Sequence, residues 1–283
     1  MKNGTCAIVL LAIFIGACAP VGQNDIATVY GKGSRQLIVA TGSPGELGLL
    51  KVIAEEFSKE NDVSVLWRKA GTGESLQFLR DRKADVIMVH GPAAEKKALS
   101  EGWATRRTLV GSSEFFLVGP PDDPAQVRTA NSIVEAYAKI AKSGGKFFSR
   151  SDNSGTHQKE MAIWQKAQIA PTGDWYVRTH DFMIATLLRA DADHGYFMTD
   201  SSTWVASRGR ALNLKVLFKG DPFIVNVYHA YCQPGGATPR AALAAKFVDF
   251  LASEEGQKLI REFGKDQYQE RLYNDAKYAR QFE

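Results

Sequence analysis

The chain has 283 residues, a formal charge of +4, 45% hydrophobic and 23% charged residues, 25 glycines and 10 prolines. That is enough chain to bury one or two sizeable cores, and the balance excludes a disordered, collagen-like or polytopic membrane protein. No stretch concentrates Lys and Arg with interleaved aromatics, so no nucleic-acid partner is expected.

The amino terminus reads as a leader. Met1 and Lys2 give a positive start, Ala7 to Ile15 is apolar, and Gly16-Ala17 precede Cys18. The apolar run is shorter than the roughly 20 residues of a spanning helix, and the pattern fits a secretory signal over residues 1–17. The small-small-Cys ending resembles a bacterial lipoprotein signal, which makes Cys18 the expected lipidation site and the membrane the expected anchor. Removing residues 1–17 takes away one lysine and no acid, so the formal charge falls from +4 to +3. Cys232 is then the one unmodified cysteine, and no disulfide is expected. In the apolar run Asn226 to Cys232 it reads as a buried thiol rather than a nucleophile beside His229.

Residues 18–35 are polar and Gly-containing, the composition of a tether. Strands are then expected at Leu37–Ala40, Val63–Trp67 and Ala84–His90, with helices at Leu47–Lys59 and Leu76–Arg82 between them. Leu49, Leu50, Ile53, Ala54 and Phe57 carry the helical spacing of the first. A fourth strand, Phe115–Val118, runs into the proline-rich break Gly119–Pro124. The pattern then resumes with a helix at Ile133–Lys142, a strand at Lys146–Ser149 and a helix at Glu160–Lys166. Strands at Gly195–Thr199, Leu214–Phe218 and Phe223–Tyr228 follow, then helices at Arg240–Ala252 and Glu254–Phe263. Alternation of this kind means α/β with a largely parallel sheet, here in two units with a return crossing near 223–228.

In open α/β sheets ligands sit beyond the carboxyl ends of strands. Three loops there are rich in small polar residues. Thr41-Gly-Ser43 and Gly71-Thr-Gly73 each precede a helix, where hydroxyls and free amides can receive an anion or simply cap the helix. Arg150-Ser-Asp-Asn-Ser-Gly-Thr156 is the most informative. Arg150 offers a planar fork of donors for an oxyanion, Ser154 and Thr156 add hydroxyls, and Gly155 admits close backbone approach.

Enzyme and metal patterns are lacking. There is no Gly-x-Ser-x-Gly elbow, no Walker A loop and no His-Glu-x-x-His. His157 and Glu160 lie one helical turn apart and read as a solvent-facing pair, since no third ligand accompanies them. Neither a catalytic residue, a cofactor nor a metal is assigned. A secreted hydrolase remains a rival from another class, distinguished by loss of a hydrolytic activity on a single Ser or His change.

These residues resemble the type II periplasmic solute-binding proteins of ABC importers, and among them the tungstate-binding family. The resemblance runs from about Leu37 to Gly264. It is carried by Gly71-Thr-Gly73, Ala84-Asp-Val-Ile-Met-Val-His90, Ser149-Arg-Ser-Asp-Asn-Ser-Gly-Thr-His157 and Ser253-Glu-Glu-Gly-Gln-Lys-Leu259. It implies a monomer of two lobes, 36–118 plus 226–283 and 119–225, each a mixed or parallel sheet flanked by helices. Two crossing strands would join them around a bound tetrahedral oxyanion, tungstate first and molybdate second. Thr41, Ser43 and Thr72 would be ligands from the first lobe; Arg150, Ser154, Gly155 and Thr156 from the second. An ABC permease and its ATPase would be the partners.

The chain departs from the family in its first loop, where Thr41-Gly-Ser-Pro44 stands for Thr-Thr-Thr-Ser. Gly91 replaces an aspartate, and Asp200-Ser-Ser-Thr203 replaces Asp-Arg-Gly-Thr. Glu46 would repel a dianion if it faced the site. The alternatives are a phosphate or organic-anion receptor, with Asp152 accepting from a protonated phosphate, and a sensor's anion-binding partner.

Overall fold

The computed structural model describes residues 26–283. The expected leader, 1–17, and the lipidation site Cys18 lie outside the described residues. In chain order the first elements are β1 (Thr28–Tyr30), β2 (Arg35–Thr41), α1 (Ser43–Glu46), α2 (Leu49–Asn61), β3 (Val63–Lys69) and α3 (Thr72–Arg80). Then come β4 (Val86–Val89), α4 (Pro92–Ser100), β5 (Thr105–Gly119), α5 (Ile133–Ser143), β6 (Phe147–Ser149) and α6 (Gly155–Lys166). The chain continues through β7 (Tyr176–Arg178), α7 (Met183–Ala192), β8 (Tyr196–Asp200), α8 (Ser201–Ser207), β9 (Lys215–Phe218) and β10 (Val225–Cys232). It ends with α9 (Ala241–Ala252), α10 (Glu254–Glu262), α11 (Lys265–Tyr268), β11 (Asn274–Asp275) and α12 (Ala276–Ala279).

The strands run in the order β1-β3-β2-β4-β10-β5-β8-β6-β7, with β9 and β11 also on β5. The sheet is mixed: β2 is parallel to β3 and β4, β6 is parallel to β7 and β8, and β10 is antiparallel to β4 and β5. β5 joins the two halves. Its residues up to Glu114 pair with β10, where Glu114 meets Val225, and from Phe115 it pairs with β8. The return crossing is the turn Pro222–Ile224 leading into β10. The change of partner thus falls at Glu114–Phe115, a few residues before the expected boundary at 118/119.

Alternation along β2 explains the layers of the first half. Leu37 and Val39 enter a cluster with Leu50, Ile53, Phe57 and Phe247, while Ile38 and Ala40 enter another with Leu79, Ile87 and Tyr231. All five apolar positions that mark α2 in the sequence are buried. The second half has its own aromatic core, in which Trp164 lies 4.4 Å from Tyr137 and 5.1 Å from Phe147.

Two expectations need correction. The expected tether, 18–35, contains β1, which pairs antiparallel with β3 and buries Tyr30 in the first core. Glu160 does not face solvent with His157. Its side chain is 2% exposed and accepts from Tyr176 Oη at 2.6 Å and Trp164 Nε1 at 3.2 Å.

Candidate functional site

The predicted loops of the two halves meet face to face. A Cβ on Gly71 would stand 3.0 Å from Ser154 Cβ, and one on Gly73 would stand 2.8 Å from Asn153 O. A Cβ on Gly155 would overlap the His90 ring, 2.7 Å from Nε2. Glycine at these places lets the start of α6 lie directly against the start of α3 and the end of β4.

The second-half loop is built around Arg150. It follows β6 and is 4% exposed, and its Nε and Nη2 both donate to Asp152 Oδ2, at 3.1 and 2.5 Å. Asp152 Oδ1 accepts from Ser154 N at 3.1 Å, so one carboxylate fixes both the guanidinium and the loop. Ser154 caps α6, its Oγ accepting from His157 N at 3.3 Å. α6 begins at Gly155, five residues before the expected start, so the amides of Gly155 and Thr156 precede the first intrahelical bonds. Thr156 Oγ1 is buried without a hydrogen-bond partner. Such an atom costs free energy unless something completes it. A helix start, a guanidinium and an unpaired hydroxyl together suit an anion.

The first-half hydroxyls are engaged differently. Thr41 Oγ1 donates to Met88 O at 2.9 Å, stapling β2 to β4. Thr72, first residue of α3, accepts from His90 N at 3.3 Å. Ser43 Oγ reaches across to the second half and donates to Asp200 Oδ2 at 3.1 Å. Asp200 caps α8: its carboxylate also accepts from Ser202 Oγ and from Thr203, through N at 2.7 Å and Oγ1 at 3.0 Å. Sequence reasoning noted Asp200 as the retained first residue of a motif that departs from the family, not as a cleft contact. Its position at the carboxyl end of β8 was the available signal.

Glu46 follows Ser43 on α1, and Lys69 Nζ lies 2.7 Å from its Oε1, which balances its charge. Lys69 also lies 4.2 Å from the centre of the Phe182 ring, and Arg150 Cζ lies 5.2 Å from that centre. Neither Lys69 nor Phe182 was a sequence candidate. His90 closes the inner wall, its ring 4.7 Å from Tyr228. Burial foremost, then the charges of Arg150 and Lys159, holds its pKa down at about 3, so the ring is neutral at physiological pH. Beneath the site, burial pushes Glu160 up to about 7. Burial likewise lifts Cys232 to about 11, which marks an inert thiol rather than a nucleophile.

Behind His90, at the start of β10, lies a cavity of about 520 Å³ lined by Lys159, Phe223, Asn226 and His229 among others. None of the seven predicted ligands lines it. Ser43, Ser154 and Gly155 instead meet the other half directly, Thr72, Arg150 and Thr156 stand beside those contacts, and Thr41 is bonded within the first half.

The family model for a PBP superfamily domain matches residues 27–255. A tungstate-binding protein, TupA, of Peptoclostridium acidaminophilum is 34% identical over 268 residues, which cover 93% of each chain. Among solved structures, the tungstate ABC transporter of Geobacter sulfurreducens is 33% identical with a TM-score of 0.74, over 82% of this chain and 100% of that one. The tungstate-binding protein TupA of Desulfovibrio alaskensis G20 is 34% identical with a TM-score of 0.69, over 86% of this chain and 99% of its own. These likenesses in sequence and in shape span most of the chain. The chain belongs to the PBP superfamily, in the family of the TupA tungstate-binding proteins.

Proposed function

We propose that this protein is the extracytoplasmic solute-binding component of an ABC importer, capturing tungstate, with molybdate second, between two lobes. The lobes are the expected 36–118 plus 226–283 and 119–225, with β1 added to the first and residues 115–118, which pair with β8, moved to the second. The anion sits on Arg150, the amides of Gly155 and Thr156 and the Thr156 hydroxyl. Ser154 organises that helix start, Ser43 and Thr72 close over it from the first lobe, and Thr41 supports them from β2. The single observation that carries this is the buried, unpartnered Thr156 Oγ1 at a helix start beside Arg150. The relatives named for tungstate supply the choice of anion.

Asp152 bears on phosphate. Its oxygens serve Arg150 and Ser154 N, but Oδ1 keeps an acceptor site, so Asp152 does not decide and the choice of tungstate rests on the relatives. No covalent step is needed; hinge closure suffices. The protein works outside the cytoplasm, as a monomer tethered through Cys18, and delivers its anion to a permease and ATPase.

The test is the melting temperature of the purified protein with tungstate, molybdate, sulfate and phosphate. A ligand at about 100 times its Kd adds about 2.7 kcal/mol, a rise of several degrees. Rises with tungstate and molybdate alone support the reading. A rise with phosphate alone, or with none of the four, overturns it.

A further inference from the structure

Lys69 and Arg150, from different halves, both lie against the Phe182 ring. Resting on the tungstate reading above, we propose that Lys69 is a positioning residue for anion capture, which cancels the Glu46 charge at the cleft and ties the first lobe to Phe182 above Arg150.

Four observations carry it. Phe182 stands immediately before α7 in the second half and receives two cations, Lys69 from the end of β3 and Arg150 from the end of β6. Each cation brings its own carboxylate: Glu46 for Lys69 at 2.7 Å, Asp152 for Arg150 at 2.5 Å. The Glu46 side chain is only 14% exposed, and its Oε2 is buried without a hydrogen-bond partner. Ser43, three residues before Glu46, makes the Asp200 contact across the cleft, so α1 itself borders the site.

The physics follows from charge and dielectric. An arriving dianion is repelled by a bare carboxylate on α1, and a half-buried ion pair screens that repulsion more effectively than distant water does. The same ammonium sits against the electron-rich face of a ring in the other lobe, so it favours closure as well. Closure on the anion and the Lys69–Phe182 contact both bring the two lobes together, so binding and that contact strengthen one another. Lys69 acts through Glu46 and Phe182 and need not touch the anion.

The experiment is calorimetric titration with sodium tungstate of the full protein and four variants: Lys69→Met, Glu46→Gln/Lys69→Met, Phe182→Leu and Arg150→Ala. Lys69→Met is expected to weaken binding about tenfold or more, since it uncovers a partly buried carboxylate. The double variant should recover most of that loss, because the uncovered charge is gone. Phe182→Leu, which keeps bulk but loses the ring face, should weaken binding about threefold. Melting of each unliganded variant checks that it folds. Lys69→Met binding within twofold of the parent overturns the proposal, as does a double variant no better than Lys69→Met alone. A parent protein that does not bind tungstate overturns the functional reading instead, and Arg150→Ala binding as the parent does overturns the site.

Discussion

The loops Thr41–Glu46 and Arg150–His157 have similar compositions and opposite patterns of hydrogen bonding. Both follow a strand, both are Gly- and Ser-bearing, and both stand at the cleft. In the second, internal bonds aim groups outward: Asp152 holds Arg150 and the backbone, Ser154 caps α6, and Thr156 Oγ1 is left without a protein partner. In the first, the hydroxyls are already engaged with protein, Thr41 with Met88 O and Ser43 with Asp200. A small polar loop is therefore a donor site or a clasp according to where its hydrogen bonds go. Composition does not separate the two.

Arg150→Ala tests the donor loop and should have the largest effect. It removes the charged fork and leaves Asp152 without its cation, so tungstate affinity should fall at least about a hundredfold. The tungstate-induced rise in melting temperature should vanish. Normal binding would mean that the second loop is not the donor.

Gly73→Ala asks whether the halves must touch. Alanine favours the helix by about 1 kcal/mol, a gain open only to a protein whose halves have moved apart. Its Cβ would meet Asn153 O at 2.8 Å and wedge the cleft. An affinity loss of about thirtyfold, with a larger radius of gyration by X-ray scattering, is expected. Unchanged affinity would show that closure at this seam is dispensable.

Ser43→Ala and Thr41→Val divide the first loop. The former loses one bond to a carboxylate that keeps its other donors, and affinity should drop about threefold to tenfold. The latter loses the staple to Met88 O and should cost about 1 kcal/mol of stability with affinity unchanged. A Thr41→Val protein that folds normally and binds poorly would make Thr41 a ligand, and the two loops would be more alike than described.

Glu160→Gln leaves the loops alone and should leave binding alone. Burial raises the Glu160 pKa from 4.5 to about 7 in the folded state. Between those values the folded state binds more protons than the unfolded, so this group makes stability fall as pH rises from about 4.5 to about 7. The stability of Glu160→Gln relative to the parent should therefore climb across that window and level off above it. A difference that is flat with pH would mean that Glu160 is ionised throughout, and the start of α6 would carry a buried negative charge beneath the donor loop.

Much of this molecule was legible in the sequence because its signals are local. α2 declares itself through five apolar residues at helical spacing, and all five are buried. β2, β3 and β4 are apolar runs bounded by turn residues. The loop from Arg150 to Thr156 stood out because an arginine, two hydroxyls and a glycine after a strand suit an oxyanion. Other features carried no local signal. Residues 105–114 of β5 include Arg106, Arg107, Ser112, Ser113 and Glu114, a polar stretch that becomes a strand by pairing with β10 more than a hundred residues later. The polar segment around Thr28–Tyr30 becomes a strand in the same way, on β3.

The sequence by itself thus determined the fold class and the family and singled out Arg150–Thr156 as the candidate anion loop, since these depend on periodicity and on residue chemistry at the ends of strands. Tertiary structure alone decided which hydroxyls are free and which are engaged. It also decided that Asp200 receives Ser43, that Lys69 cancels Glu46, and that Phe182 stands between two cations. Each of those depends on residues from separate strands and helices brought within a few ångströms, and hydrogen bonds and charge pairs at that range are set by position in space rather than by spacing along the chain.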